Sequence, residues 1–164
     1  MKIKFLILLF TSICFSQTKH LGVYKDAFGN KIELLENNKF RHTWQFGLSG
    51  SWTIGNWKIS NDTLKLEIEK VYDTIHIFSQ KSKTHIDSLT LAEEETPKRI
   101  SEYKNEIKSV FTGRQNVILP NTLFLIKKKK LIIINKNGKL HKEKILGYYN
   151  NKKKYHTWYL KLEN

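Results

Sequence analysis

Cysteine is all but missing from this 164-residue chain: Cys14 is the single one, and it falls in the apolar run at the N-terminus. Everything after that run must therefore fold by packing, without disulfides, and it has neither thiolate catalysis nor cysteine-containing metal sites at its disposal. Acidic residues are scarce too, 15 against 29 lysines and arginines, for a formal charge of +14. Two readings of that imbalance stand side by side. It implies affinity for polyanions such as lipid head groups, polysaccharide or nucleic acid, or it reflects only the Lys-, Asn- and Ile-rich composition of an AT-rich genome. No apolar run approaches the roughly twenty residues a transmembrane helix needs. Catalytic motifs are missing as well. There is no Gly-rich phosphate loop and no His-Glu-x-x-His, and Gly47-Leu48-Ser49-Gly50-Ser51 has Ser51 where a nucleophile elbow ends in glycine. Glu93-Glu94-Glu95 reads as a solvated charge run. No catalytic residue, cofactor or metal site follows from the sequence.

What is present begins with a leader. Lys2 and Lys4 form a positive n-region, residues 5–10 and Ile13 an apolar h-region, and Ser16 and Cys14 the small −1 and −3 side chains of a cleavage site. Residues 1–16 read as a secretory signal, so the protein is expected to be periplasmic or secreted. Residues 17–164 then form one domain of 148 residues (164 − 16), with a charge of about +12 once Lys2 and Lys4 are removed. A second reading is a lipoprotein acylated on Cys14, although Ile13 stands where a lipobox wants a small residue.

The remainder is dominated by short alternating runs separated by turn residues. Strands are expected at 21–26, 31–36, 40–48, 51–60, 63–69, 71–78, 122–126, 131–135, 140–149 and 155–162. Phe40, His42, Trp44, Phe46 and Leu48 share one face of their strand. In the next, Trp52 and Ile54 fall on one parity and Trp57 and Ile59 on the other, which predicts a β-bulge at Gly55-Asn56 that keeps all four inward. Thr96 and Pro97 followed by Ile100, Tyr103, Ile107, Val110 and Phe111 predict an amphipathic helix over about 97–112, stopped by Gly113. The fold class expected is mostly β: an antiparallel up-and-down barrel of about 8–10 strands with one helix.

Gly22-Val23-Tyr24, Asn38-Lys39-Phe40, Gly50-Ser51-Trp52 and the run Trp57-Lys58-Ile59-Ser60-Asn61-Asp62-Thr63-Leu64-Lys65-Leu66 resemble small lipocalin-like, calycin-type domains of exported bacterial proteins. The resemblance covers about 45 residues. It lacks the Thr-Asp-Tyr motif of true lipocalins and the arginine of their closing strand. It implies a barrel able to hold a small apolar ligand, and it names none.

Candidate ligand-lining residues are Phe40, His42, Trp44, Phe46, Trp52, Trp57, His156 and Trp158. His42-Thr43-Trp44 recurs as His156-Thr157-Trp158, and barrel closure between early and late strands would bring the two histidines to one mouth. Two histidines alone make a poor metal site. A strand meander alternates its turns between the two ends of a barrel. Lys127, Lys128, Lys129 and Lys130 are then expected at the same end as Lys152, Lys153 and Lys154, as a rim for an anionic envelope surface. Nucleic acid is the weaker partner, because an exported protein seldom meets it. Asp62-Thr63-Leu64, Asp73-Thr74-Ile75 and Asp87-Ser88-Leu89 resemble the acceptor triplet of a bacterial O-glycosylation system, which would place sugars on Thr63, Thr74 and Ser88.

Overall fold

A computed structural model describes residues 19–79, 82–100, 113–116, 120–148 and 152–163. The expected leader lies outside them. Five strands run in a meander: β1 (Gly22–Lys25), β2 (Asn30–Leu34), β3 (Lys39–Phe46), β4 (Ser49–Ser60) and β5 (Thr63–Glu69). Later come β6 (Tyr72–Ser79), β7 (Thr84–Leu91), β8 (Arg99–Ile100), β9 (Arg114–Gln115), β10 (Leu123–Lys127), β11 (Lys130–Ile133), β12 (Lys144–Leu146), β13 (Lys154–His156) and β14 (Tyr159–Lys161). The meander continues from β5 to β10, β11 and β14, and β14 returns to β1. The result is a closed antiparallel barrel of eight strands, with no free edge around its wall.

Turn chemistry sets the register. Asn37, Asn38, Asn61 and Asp62 all take positive φ, which asparagine and aspartate tolerate better than other side chains. These turns, with Lys128-Lys129 and both ends of the chain's barrel portion, lie at one end, here termed the turn end. The opposite end carries the two long excursions, 70–122 and 134–158, and is termed the insertion end.

Every barrel strand contributes to one core. Tyr24 comes from β1, Ile32 and Leu34 from β2, Phe40 from β3, Trp57 from β4, and Leu64 and Leu66 from β5. Phe124 and Ile126 from β10, Leu131 and Ile133 from β11, and Tyr159 from β14 complete it. Full burial of such side chains is worth about 1.5–3 kcal/mol each. The inward residues of β3 are large and their β4 partners small: Phe40 opposes Gly55, His42 opposes Thr53, Trp44 opposes Ser51 and Phe46 opposes Ser49. Bulk on one strand is matched by its absence on the next, as an eight-stranded barrel requires.

That pairing corrects the expected bulge. β4 runs in continuous register with β3 through Gly55 and Asn56, and with β5 from Ile54 to Ser60. Trp57 and Ile59 therefore face the core, while Trp52 and Ile54 face outward. They are shielded by a second cluster with Val71 and Ala92, beneath the β6–β8 excursion. Beyond the end of β5, the edge of β4 is occupied by β9, which pairs parallel at Ser51 and Trp52. The buried Gln115 amide behaves as an extra strand residue: it accepts the Val71 N–H at 3.0 Å and donates to the Val71 carbonyl at 2.8 Å.

The helix expectation is corrected in its first turn. Residues 97–98 are not helical, and Arg99–Ile100 pair parallel with Thr74 and Ile75 of β6. Lys98 donates its N–H to the buried Asp73 carboxylate at 2.7 Å and accepts from Thr74 at 2.9 Å. The open edge of β6 thus outweighs the helical spacing of the apolar side chains. Residues 101–112, which hold the rest of the expected helix, lie outside the described residues.

Candidate ligand site at the insertion end of the barrel

The turn between β1 and β2 is built to be rigid. Asp26 Oδ1 accepts the backbone N–H groups of Phe28 (2.7 Å) and Asn30 (2.9 Å), and Oδ2 accepts the Asn30 side-chain amide (2.7 Å). Gly29 has φ +83°, and a Cβ there would lie 2.1 Å from the Gln45 carbonyl oxygen, so the turn is pressed flat against β3. Trp44 Nε1 donates to the Phe28 carbonyl at 3.2 Å. This arrangement holds the Phe28 ring inside the structure rather than in solvent.

Over the turn lies the β12–β13 hairpin, a two-stranded sheet separate from the barrel wall. Its Tyr148 meets Phe28 edge-on at 5.7 Å and Phe46 at 4.7 Å, and its Tyr155 meets Phe28 at 6.5 Å. Such pairs contribute about 0.5–1.5 kcal/mol each beyond area burial. The hairpin therefore docks on the barrel through aromatic edges.

Between hairpin and barrel is a cavity of about 340 Å³. Ile133 and Tyr159 form its floor, Ile145 and Tyr148 its roof, and Asp26, Asn30, Asn121, Asn135, His141 and Thr157 supply polar groups. The Thr157 hydroxyl and His141 Nδ1 are 3.0 Å apart. Burial pushes the Asp26 carboxyl above the ordinary carboxylate range, against the three hydrogen bonds that pull it down. Burial first, and the Asp26 charge second, push the Tyr159 phenol up. The cavity thus holds one acid, one phenol that stays protonated, and mixed apolar walls. Its volume is in the range of small-molecule pockets.

The sequence-derived ligand lining is only partly assembled here. Phe40, His42 and Trp57 lie in the tightly packed interior, and Trp57 Nε1 donates to the Leu35 carbonyl near the turn end. Trp44 and Phe46 stack at 6.5 Å and join the aromatic group that covers the insertion end. Trp52 is on the outer wall, its Nε1 donating to the Glu93 carbonyl. His156 and Trp158 are outside the barrel as well, so His42 and His156 do not meet. Among the described residues no group of three or more His, Cys, Asp or Glu is placed to hold a metal ion, and no helix is long and apolar enough to cross a membrane. The residues that do line the cavity, above all Asn121, His141, Ile145 and Tyr148, were not singled out from the sequence. They belong to excursions whose placement no local pattern reveals.

The lysine rim also needs correcting. Lys127, Lys128, Lys129 and Lys130 form the β10–β11 turn at the turn end, where Ile126 N–H reaches the Asp62 carbonyl and Lys129 pairs with Glu163. Lys152, Lys153 and Lys154 run into β13, at the insertion end. The turn count fails because residues 140–149 do not cross the barrel: β12 pairs only with β13, so no intervening strand returns the chain to the turn end. Of the acceptor triplets, Thr63 and Thr74 are half-buried, and Ser88 is exposed on β7, at the edge of the three-stranded sheet.

The fold and this cavity define the class: a small closed antiparallel β-barrel with a covered concavity at one end. Comparison with protein-family models, curated proteins and solved structures finds no match for the chain.

Proposed function

We propose that the chain is an exported binding protein, taking a small and mainly apolar ligand with one hydrogen-bonding end into the cavity beneath the β12–β13 hairpin. The observation that carries this reading is the cavity itself: an apolar floor and roof, with the polar groups of Asp26, Asn121, His141 and Thr157 gathered around them. The packed interior argues against a ligand deeper in the barrel. The resemblance to lipocalin-like domains points to the same class of role.

The neutral fluorophore N-phenyl-1-naphthylamine is a suitable probe, with emission enhancement as the readout. Saturable binding is expected, and Ile145→Trp, which fills the cavity from its exposed roof, is expected to weaken it at least tenfold. Leu48→Trp, on an exposed turn away from the cavity, should leave it within twofold. Equal affinities for both variants and the parent would refute the site.

Export rests on the leader-like residues 1–16, and intact mass of the periplasmic or secreted species tests it. A chain beginning at Gln17 is the expected result. A mass carrying acyl chains on Cys14 would replace free export with membrane anchoring, and a full-length cytosolic species would sink both.

A further inference from the structure

A second concavity, of about 330 Å³, lies on the outer wall beside the first and shares only Asp26 with it. One side is formed by Lys25 and Leu160, register partners on β1 and β14 whose neighbours Tyr24 and Tyr159 point into the core. The other side is formed by Lys144, Lys154 and His156 of the hairpin, with Trp158 between the two.

Three features set this groove apart from the outer wall of β2 to β5. First, its lysines are uncompensated. The outward lysines of β2 to β5 are all ion-paired: Lys31 with Glu33, Lys39 with Glu69, and Lys58 and Lys65 with Glu67. Lys25, Lys144 and Lys154 have no ion pair among the described residues. The single carboxylate at the rim, Asp26, has both oxygens engaged by three hydrogen bonds within its own turn and ion-pairs with none of these lysines. Another depression, on the outer face of β3 and β4, contains Arg41, but that guanidinium is already matched by Glu95 at 2.5 Å.

Second, the groove has a fixed aromatic wall. The Trp158 indole is stacked against the His156 imidazole, with centroids 3.5 Å apart and planes at 12°, and Lys130 Nζ lies 4.1 Å from the indole centroid. One lysine from each sequence cluster, Lys130 and Lys154, thus borders the same tryptophan, though the clusters themselves are apart. Third, His156 Nδ1 is buried and has no hydrogen-bond partner among the described residues. That nitrogen is closed to solvent, so the part of the ring in the groove is to back the Trp158 indole and hold its plane in place.

We infer that this groove is a binding site for a small organic anion, its phosphate or carboxylate held by Lys25, Lys144 and Lys154 and its carbon body resting on Leu160 and Trp158. Ammonium groups recognise such anions as point charges. The apolar wall favours an anion with a hydrophobic or ring-shaped body over a bare inorganic one. The ligand is a free molecule rather than a membrane, because the charges line a concavity instead of standing on a convex rim.

Phenyl phosphate is the probe, with inorganic phosphate and phosphatidylglycerol vesicles in parallel, and two-dimensional NMR of the full chain is the readout. Phenyl phosphate is expected to saturate, to shift the Lys25, Lys154 and His156 amides and the Trp158 indole, and to bind more tightly than inorganic phosphate. The triple variant Lys25→Gln, Lys144→Gln, Lys154→Gln should lose at least tenfold. Lys127→Gln, Lys128→Gln, Lys136→Gln makes the same change in net charge elsewhere and should stay within twofold. Equal losses in the two triples would reduce the effect to overall charge and overturn the site. So would vesicle binding with phenyl phosphate silent. Ile145→Trp fills only the neighbouring cavity and should leave phenyl phosphate affinity unchanged, so failure of one site is distinguishable from failure of the other.

Discussion

Gly55→Ala is expected to destabilise the barrel by about 3 kcal/mol or more, a large part of what a domain of this size has in reserve. A Cβ at that position would lie 2.1 Å from the Glu67 carbonyl oxygen and 2.9 Å from Phe40 Cε1. The first contact is with backbone, so no rotamer change relieves it, and the β4–β5 pairing must shift in addition to the Phe40 ring. Gly138 is the comparison: its φ is +77° but nothing lies within 4 Å of a Cβ there. Gly138→Ala should therefore cost only the backbone penalty of about 1 kcal/mol. Urea titration of both variants measures the gap between them. Two equal midpoints would mean that Phe40 does not pack across Gly55, and with it the matching of large against small side chains along β3 and β4 would fall.

The second large effect is acid sensitivity from a single imidazole. His42 is only 1 % exposed and faces Thr53 across the β3–β4 pair, and neither its ring nitrogens nor the Thr53 hydroxyl has a hydrogen-bond partner among the described residues. Burial penalises the charged ring and lowers its pKa from 6.5 to about 4. The neutral form is therefore the folded form. Its contribution is complete above pH 6.5 and is lost as the pH falls toward about 4, where the unfolded chain binds the proton and the barrel resists it. The gap between the two pKa values corresponds to about 3 kcal/mol. His42→Leu should change stability little at pH 7.5, since an unpaired polar group is replaced by an apolar one of similar bulk. It should also flatten the decline between pH 7 and pH 4 relative to the parent. Parallel pH profiles for the two proteins would show that the ring is not held neutral by its surroundings.

The barrel was legible where local chemistry and global fold agree. The alternation of Phe40, His42 and Trp44, and of Leu64, Leu66 and Ile68, gave the inner faces directly, and the Asn and Asp turns gave the hairpins between them. Legibility failed where the outer face of a strand is covered by something distant. Trp52 and Ile54 looked misplaced on β4 only because nothing nearby in sequence announces Val71 and Ala92 above them. A bulge was the simplest way to bring them inside, and a second small core was the structure's way. The excursion after β11 failed for a related reason. Residues 140–149 have the apolar content of a barrel strand, but the hairpin they begin is held by Phe28 and Phe46 against Tyr148 and Tyr155, contacts that span over a hundred residues. The mouth cavity and the outer groove both depend on that hairpin, so neither could be assembled from spacing alone. The residues of the groove were visible in fragments: His156, Trp158 and Lys154 drew attention as a repeat and a charge cluster, while Lys25 and Lys144 carried no local signal.

The chain enters and leaves the barrel side by side. β1 begins and β14 finishes at the same end, Tyr24 pairs with Lys161, and the Lys161 ammonium donates to the Lys19 carbonyl at 2.9 Å. Any tether attached ahead of Gly22 or after Lys161, whether a lipid, a linker or a sensor chip, would hold the molecule by its tight-turned base. The hairpin-covered face would then point outward in every copy, which makes uniform presentation of the binding face a matter of where the chain is gripped.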